Sequence, residues 1–227
     1  MLVYGCLEVL DTIEELVNPS HTAMMIIDMQ NEIATEKGGY AQHGYDLRAV
    51  RSIIPVIQKL LASARERDML VVYTEFVHRD RNGLTRMDGP SVYMHRHQSW
   101  VSDVVDCTLE AQTIEELAPM KRDVVLQKSR GSAFYGTYLD TILKRRGIRT
   151  LVLTGCLTEG CVLSTALYGA EWGYYSVVAR DAVATLTKEQ HDLGLKYLEM
   201  KAAVFSAHEI TTTWNAASIR GSSAQAT

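Results

Sequence analysis

The sequence predicts an α/β protein, a three-layer α/β/α sandwich with a mostly parallel central sheet. Predicted strands and helices alternate along the chain, and the predicted strands are apolar without strict alternation. Hydrophobic residues make up 47% of the 227 residues and charged residues 22%, which are ordinary values for a globular chain. We therefore expect one domain over residues 1–227, with an N-terminal arm at 1–20 and a flexible tail at 218–227.

The first half of the chain predicts two strands with a helix between them. The strands are residues 22–27, which end at Asp28, and residues 69–76. An apolar stripe at helical spacing predicts the helix, with Pro55 in its first turn or at a kink. The stripe consists of Ile53, Val56, Ile57, Leu60, Leu61 and Ala64.

The second half repeats this alternation with clear start and stop signals. Gly147 and Gly173 close two predicted helices, and Thr187 with Gln190 matches the capping box that opens a third. The predicted strands are residues 123–128, 150–154, 174–179 and 203–205, and the predicted helices are 136–146, 161–173 and 187–200. Only residues 77–113 break the alternation, and ordered loops of that length are usually functional.

Charge and composition argue against several classes of partner. The formal net charge is −4, which lacks the basic footprint that nucleic acid attracts. No apolar run reaches the roughly 18 residues of a membrane span, and residues 1–20 contain no Lys or Arg, so we expect neither a membrane partner nor a signal peptide. None of the 4 cysteines forms a C-x-x-C pair, which favours reduced thiols in a cytoplasm.

Three reactive side chains follow or end predicted strands. Asp28 follows the first strand, Lys128 ends the 123–128 strand, and Cys161 opens the helix after the 150–154 strand. Because ligands bind outside the carboxyl ends of parallel strands, we expect the three to converge at one edge of the sheet. The helix N-terminus and the ammonium of Lys128 would lower the pKa of the Cys161 thiol and activate it as a nucleophile.

Each of these residues also has an ordinary structural interpretation when it is considered alone. A cysteine in a small-residue helix is usually a buried apolar side chain, which is the interpretation we give Cys156. A lysine after a strand is usually solvated, and an aspartate there is often a turn residue. The convergence of acid, base and thiol from three strand ends is what favours catalysis.

Three stretches of the chain resemble the isochorismatase-like cysteine hydrolase superfamily. They are residues 26–31 (IIDMQN), 126–134 (LQKSRGSAF) and 153–162 (LTGCLTEGCV). Residues 38–40 (GGY), 44–46 (GYD), 116–119 (ELAP) and 146–149 (RGIR) are similar to segments of ureidoacrylate and biuret amidohydrolases. Residues 158–161 (TEGC) also resemble N-carbamoylsarcosine amidases.

The resemblance implies an Asp-Lys-Cys triad formed by Asp28, Lys128 and Cys161. It further implies a non-proline cis peptide between Cys156 and Leu157, and an oxyanion hole made by the backbone N–H groups of Leu157 and Cys161. The implied activity is hydrolysis of a C–N bond in a small linear amide or ureido compound, through a thioester and without a cofactor. The superfamily forms dimers and tetramers, so the resemblance also implies a homo-oligomer. The segments containing Trp172 and Trp214 would suit an interface, and a buried core is equally compatible with them.

Candidate substrate-binding residues lie beside the triad in the sequence. They are Asn31, Glu32, Arg130, Phe134 and Glu159. Arg130 is suited to a carboxylate but equally to a structural ion pair, and Phe134 is more typical of a packing wall. Glu159 departs from the Asn or Asp more usual in related amidohydrolases at this position, which leaves the substrate open.

No metal is predicted, because the metal-binding motif of nicotinamidases is missing where the chain reads TEFVHRD at residues 74–80. His78, His95 and His97 lie in the irregular segment, where polar histidines are more often solvated.

Three alternatives to an amidase stay open. An isochorismatase-type enol-ether hydrolase keeps the fold but does not use the thiol. A nucleotide or flavin-binding module is disfavoured because no G-x-G-x-x-G follows the first strand. A redox sensor would pair Cys156 with Cys161, which their placement at a strand end and a helix start makes doubtful.

Overall fold

The computed structural model describes residues 2–4, 7–78 and 104–224, with side chains described for 9–78 and 104–217. Six parallel strands form the central sheet in the order β5-β4-β3-β6-β7-β8. These strands are β3 (Thr22–Ile27), β4 (Leu70–Phe76), β5 (Val124–Lys128), β6 (Thr150–Cys156), β7 (Tyr175–Ala184) and β8 (Ala203–Phe205). Two short strands, β1 (Leu2–Tyr4) and β2 (Leu7–Val9), pair antiparallel within the predicted N-terminal arm.

Helices connect the strands as the α/β prediction requires. They are α1 (Ile13–Leu16), α2 (Asn31–Ala34), α3 (Gly39–Gln42), α4 (Arg48–Ser52), α5 (Ile54–Glu66), α6 (Leu139–Arg145), α7 (Leu163–Glu171), α8 (Lys188–Glu199) and α9 (Ala207–Ala224). A π-helical turn, Thr158–Val162, precedes α7, and short 3₁₀ turns occupy Pro19–His21 and Glu115–Leu117. Of the described helices, none is both long enough and apolar enough to cross a bilayer.

Apolar side chains fill both faces of the sheet. Successive strand residues point to opposite faces, so Met24 and Ile26 pack with α5 and α9, whereas Met25 and Ile27 pack with α6 and α7. Every residue of β3 and β6 is buried. This two-sided burial explains why these strands lack polar alternation in the sequence.

Several predicted boundaries match the structure closely. Strands 22–27 and 203–205 agree with β3 and β8, and Pro55 lies in the first turn of α5. Thr187 is the N-cap of α8, where its hydroxyl oxygen accepts a hydrogen bond from the Gln190 N–H at 3.3 Å. These signals depend on local backbone chemistry, which the sequence carries directly.

Other boundaries differ because tertiary contacts extend or reveal an element. β7 continues five residues beyond the predicted 174–179 strand to Ala184, where it still pairs with Cys156 of β6. Helix α9 was not predicted. Within residues 207–217, where its side chains are described, Ile210 and Trp214 are fully buried. The Trp214 indole N–H donates to the Val17 carbonyl at 2.7 Å, which places this residue in the core.

The predicted tail and one predicted oligomer contact lie on α9 and directly after α7. Helix α9 runs to Ala224 and so overlaps the predicted tail at 218–227. Trp172, the other aromatic residue proposed for an interface, is 51% exposed. The homo-oligomer stays a prediction.

Candidate active site

Asp28, Lys128 and Cys161 meet at the carboxyl edge of the sheet. The Lys128 ammonium lies 2.8 Å from the Asp28 carboxylate and donates to the Cys161 sulfur at 3.2 Å. Its third hydrogen bond goes to the Arg130 carbonyl at 3.0 Å. An ammonium has three donors, so Lys128 is fully satisfied and holds the carboxylate and the thiol on either side of itself.

Asp28 is fixed by the strand next to its own. Its backbone has φ +51°, a left-handed conformation that turns the chain away from the end of β3. Thr74 of β4 donates its hydroxyl to the Asp28 Oδ1 atom at 2.6 Å, while the Oδ2 atom faces Lys128. The carboxylate is therefore held by two different donors and has little freedom to rotate.

The Lys128 ammonium is buried, and its surroundings keep it charged. Burial alone lowers the pKa of Lys128, but the charge of Asp28, together with the hydrogen bonds to Asp28 and Cys161, outweighs that effect and raises it. The Phe76 ring also lies beneath the ammonium, with 4.2 Å between Nζ and the ring centroid. Lys128 is thus a permanent positive charge in the site rather than a proton donor.

The electrostatics of Cys161 correct the sequence-based expectation of a lowered thiol pKa. Burial, the negative charge of Asp28 and a hydrogen bond to Asp28 raise the pKa of Cys161 to about 12, although Lys128 acts in the opposite direction. Cys161 is also the fourth residue of the turn Thr158–Val162 rather than the start of a helix. The resting side chain is a neutral thiol beside a base, not a preformed thiolate.

The turn that carries Cys161 is held from several sides. The peptide bond between Cys156 and Leu157 is cis, and it leads from β6 into the turn Thr158–Val162. The Thr158 hydroxyl is hydrogen-bonded to the Nδ1 atom of His191 in α8 at 2.9 Å. Just before the turn, Gly155 has φ +102°, and a Cβ atom there would lie 2.1 Å from the Ile27 carbonyl oxygen. Only glycine allows β6 to run this close to β3.

A cavity of about 450 Å³ opens above these groups. Asp28 and Cys161 line it, as do four of the residues predicted for the oxyanion hole or for substrate binding. These four are Glu32, Arg130, Leu157 and Glu159. A cavity of this volume suits a small molecule.

The carboxylates in the cavity wall are anchored differently. Glu32 accepts a hydrogen bond from the Gly39 N–H at 2.9 Å, and burial raises its pKa. Glu159 accepts from the Thr185 hydroxyl at 3.0 Å through Oε1, while its Oε2 atom is buried without a partner. Leaving a buried polar atom unpaired costs about 1–3 kcal/mol.

Two predicted substrate-binding residues lie outside the cavity lining. The Asn31 side-chain amide donates to the carbonyls of Leu109 and Gln112, at 2.9 and 3.1 Å, and so ties the chain after β3 to the segment before β5. The Phe134 ring stacks on Trp172 with 6.5 Å between centroids and lies in the apolar layer of α6 and α7. Both positions indicate structural roles.

Sequence reasoning missed several residues that build the site. Gln30 lines the cavity, and its amide donates to the Ala111 carbonyl at 2.8 Å and accepts from the Phe76 N–H at 2.7 Å. Tyr40 and Gln190 also line the cavity. The position of Gln30, two residues after Asp28, was a usable signal, but the contacts of Tyr40 and Gln190 depend on distant chain segments.

Known proteins match this chain along most of its length. A family model described as the isochorismatase domain matches residues 22–209, which is most of the chain. The protein belongs to the isochorismatase family. This isochorismatase-family chain shares 30% identity with an isochorismatase-like hydrolase from Alkaliphilus metalliredigens, with a TM-score of 0.69 over 86% of this chain and 99% of that one.

Two further solved structures place the isochorismatase-family fold among hydrolases. A cysteine hydrolase from Pseudomonas syringae pv. phaseolicola is 25% identical, with a TM-score of 0.77 over 88% of this chain and 95% of that one. The N-carbamoylsarcosine amidase from Thermoplasma acidophilum is 27% identical, with a TM-score of 0.65 over 82% and 96% of the two chains. The family and these neighbours are hydrolases, one of them an amidase.

The histidines considered as metal ligands give no site within the described part of this isochorismatase-family chain. Residues 9–78 and 104–217 contain no group of three or more His, Cys, Asp or Glu side chains arranged to hold a metal. His78 is buried, and its ring lies 4.5 Å from that of Phe76. His95 and His97 lie outside the described residues.

Proposed function

We propose that this protein is a cysteine-dependent amidohydrolase that cleaves a C–N bond in a small linear amide or ureido compound. The observation that carries the proposal is the position of the buried Lys128 ammonium, 2.8 Å from Asp28 and 3.2 Å from Cys161, two residues that line a small cavity. A nucleophile, a base and a fixed positive charge are the parts that acyl transfer needs.

The first half of the reaction begins from the neutral thiol. Asp28 removes the Cys161 proton as the sulfur attacks the substrate carbonyl carbon, because a thiol with a pKa of about 12 needs a base at neutral pH. Lys128 stabilises the thiolate character that develops on sulfur. Leu157 and Cys161 are both lining residues of the cavity, and their backbone N–H groups donate to the developing oxyanion.

The second half releases the amine and then the acyl group. The protonated Asp28 gives its proton to the departing nitrogen as the C–N bond breaks, which leaves a thioester on Cys161. Asp28, again a carboxylate, takes a proton from a water molecule that attacks the thioester carbonyl, and it passes that proton to the sulfur, which leaves as the Cys161 thiol. If the acyl group is carbamoyl, the released carbamate decomposes to ammonia and carbon dioxide.

The test is a screen for ammonia release from a set of candidate amides. The set contains biuret, ureidoacrylate, an N-carbamoyl amino acid, maleamate and nicotinamide. At least one is expected to be hydrolysed, and Cys161→Ser should lower kcat/KM for it by about 10³-fold or more. Cys107→Ser is the matched control, because Cys107 is an exposed cysteine outside the cavity lining.

Two results would count against the proposal. Near wild-type hydrolysis by Cys161→Ser would remove the nucleophile assignment. Pyruvate release from isochorismate, with no ammonia from any amide, would instead favour the enol-ether hydrolase. Added hydroxylamine gives a further readout, since it should trap the acyl group of a thioester as a hydroxamate.

A further inference from the structure

Glu159 lines the cavity with a carboxylate that is only partly hydrogen-bonded. Its Oε2 atom is buried and has no hydrogen-bond partner, while Oε1 accepts from the Thr185 hydroxyl at 3.0 Å. The mechanism proposed above does not use it. An N–H donor from a bound molecule would supply the partner that this oxygen lacks.

The backbone of Glu159 has no room to move away from this position. A Cβ atom on Gly194 of α8 would lie 2.9 Å from the Cα, Cβ and N atoms of Glu159, so the helix packs directly against the turn. Thr185 holds the side chain through the other oxygen. The acceptor is therefore pre-positioned, which lowers the entropic cost of using it in binding.

The charges around the cavity also favour an N–H donor, rather than a carboxylate, beside Glu159. The negative charge of Asp28 is balanced by Lys128. The other charged residues of the described lining are two glutamates, Glu32 and Glu159, and one arginine, Arg130. Arg130 already donates to the Ser129 carbonyl at 2.7 Å. A substrate carboxylate beside Glu159 would meet a like charge, whereas an amide, ureido or amino nitrogen there would supply the missing donor.

We propose that Glu159 selects substrates that carry an N–H donor, rather than a carboxylate, at the end away from the bond that is cleaved. This inference rests on the proposed function and deepens it, since it names the chemistry of the substrate's second end. Glu159 and Cys161 are two residues apart and both line one cavity, so a small diamide can contact both. Glu159 is a specificity residue here and takes no part in bond breaking.

The test compares maleamide with maleamate, which differ only in having an amide or a carboxylate at the second end. Wild-type kcat/KM for maleamide should exceed that for maleamate by about tenfold or more. In Glu159→Gln this ratio should fall about tenfold, because the new side-chain amide can donate to a carboxylate. Glu171→Gln, an exposed glutamate at the end of α7, should leave the ratio unchanged.

Binding measurements separate this inference from the amidase proposal. Calorimetry with the Cys161→Ser protein should show tighter binding of maleamide than of maleamate, and Cys161→Ser/Glu159→Gln should lose that difference. Such a difference in binding, with no hydrolysis of any candidate amide by the wild-type protein, would reject the amidase and keep the role of Glu159. Equal ratios in wild type and Glu159→Gln, or binding of neither compound, would overturn the role of Glu159 even if Cys161-dependent hydrolysis is found.

Thr185→Val provides a second variant in case Glu159→Gln does not fold. It removes the hydroxyl that anchors Oε1 but keeps the carboxylate charge. The preference for maleamide should decrease without reversing. An unchanged preference in Thr185→Val would contradict the idea that this anchor positions the acceptor.

Discussion

Cys156 ends strand β6 inside the apolar core, whereas Cys161, five residues later, faces the ammonium of Lys128. Burial is the largest cause of a raised pKa for both thiols. Cys156 has Met29 as its sulfur neighbour, at 3.4 Å, while Cys161 has a cation and a carboxylate. Burial alone makes a cysteine inert, and the adjacent base and fixed charge are what give Cys161 a route to react.

The largest expected effect is the pH dependence of alkylation at Cys161. With a pKa of about 12, the thiolate fraction should rise tenfold per pH unit, or about 10³-fold between pH 7 and 10. Iodoacetamide labelling, followed peptide by peptide with mass spectrometry, measures this rate. A small exposed thiol with a pKa near 8.5 should instead level off within the same range.

Two outcomes of the labelling experiment would contradict the contrast drawn between Cys156 and Cys161. A Cys161 rate that is already constant from pH 7 would show a preformed thiolate and restore the original expectation of a lowered pKa. Labelling of Cys156 at a similar rate in folded protein would show that its burial does not protect it.

The next effect concerns Lys128, the cation that is hydrogen-bonded to the Cys161 sulfur. Lys128→Met leaves the Asp28 carboxylate buried without its ion-pair partner, so the free energy of unfolding should fall by about 3–5 kcal/mol. Lys188→Met is the matched control, because Lys188 pairs with Asp192 on the exposed face of α8 and should lose only about 0.3–0.5 kcal/mol. Urea unfolding measures both. Equal losses would mean that burial does not set the strength of these pairs.

The smallest expected effect is on the structural cysteine. Cys156→Ala removes one buried sulfur atom from the core and should lower the free energy of unfolding by about 1 kcal/mol. Its kcat/KM on any accepted amide should stay within a few-fold of wild type. A loss as large as that of Cys161→Ser would show that Cys156 takes part in the reaction.

Strand β3 and the site residues at the strand ends were predictable because local patterns encode them. Continuous apolar residues at 22–27 require a strand buried on both faces, and Asp28 directly after it is at the edge where ligands bind. The raised pKa of Cys161 was not predictable. It depends on how deeply the thiol is buried and on how the opposing effects of Asp28 and Lys128 sum, and neither quantity has a sequence signature.

Helix α9 and the packing of Phe134 illustrate the same limit. Among residues 207–217, the part of α9 whose side chains are described, the buried apolar residues are Ala207, Ile210 and Trp214, and the polar residues between them made the helical periodicity too weak to detect. Phe134 follows Lys128 closely in the sequence, but the chain turns its ring toward Trp172 and away from the cavity. Proximity along the chain does not determine which way a side chain faces in a loop.

The sequence by itself determined the alternation of strands and helices. It also determined that Asp28, Lys128 and Cys161 lie at one edge of a parallel sheet. These properties follow from hydrophobic periodicity and from the common direction of parallel strands. Only the tertiary structure decided that the thiol is neutral, that Glu159 has an unpaired oxygen, and that Asn31 and Phe134 do not line the cavity. Each of these depends on distances between residues far apart in the chain, which local patterns do not fix.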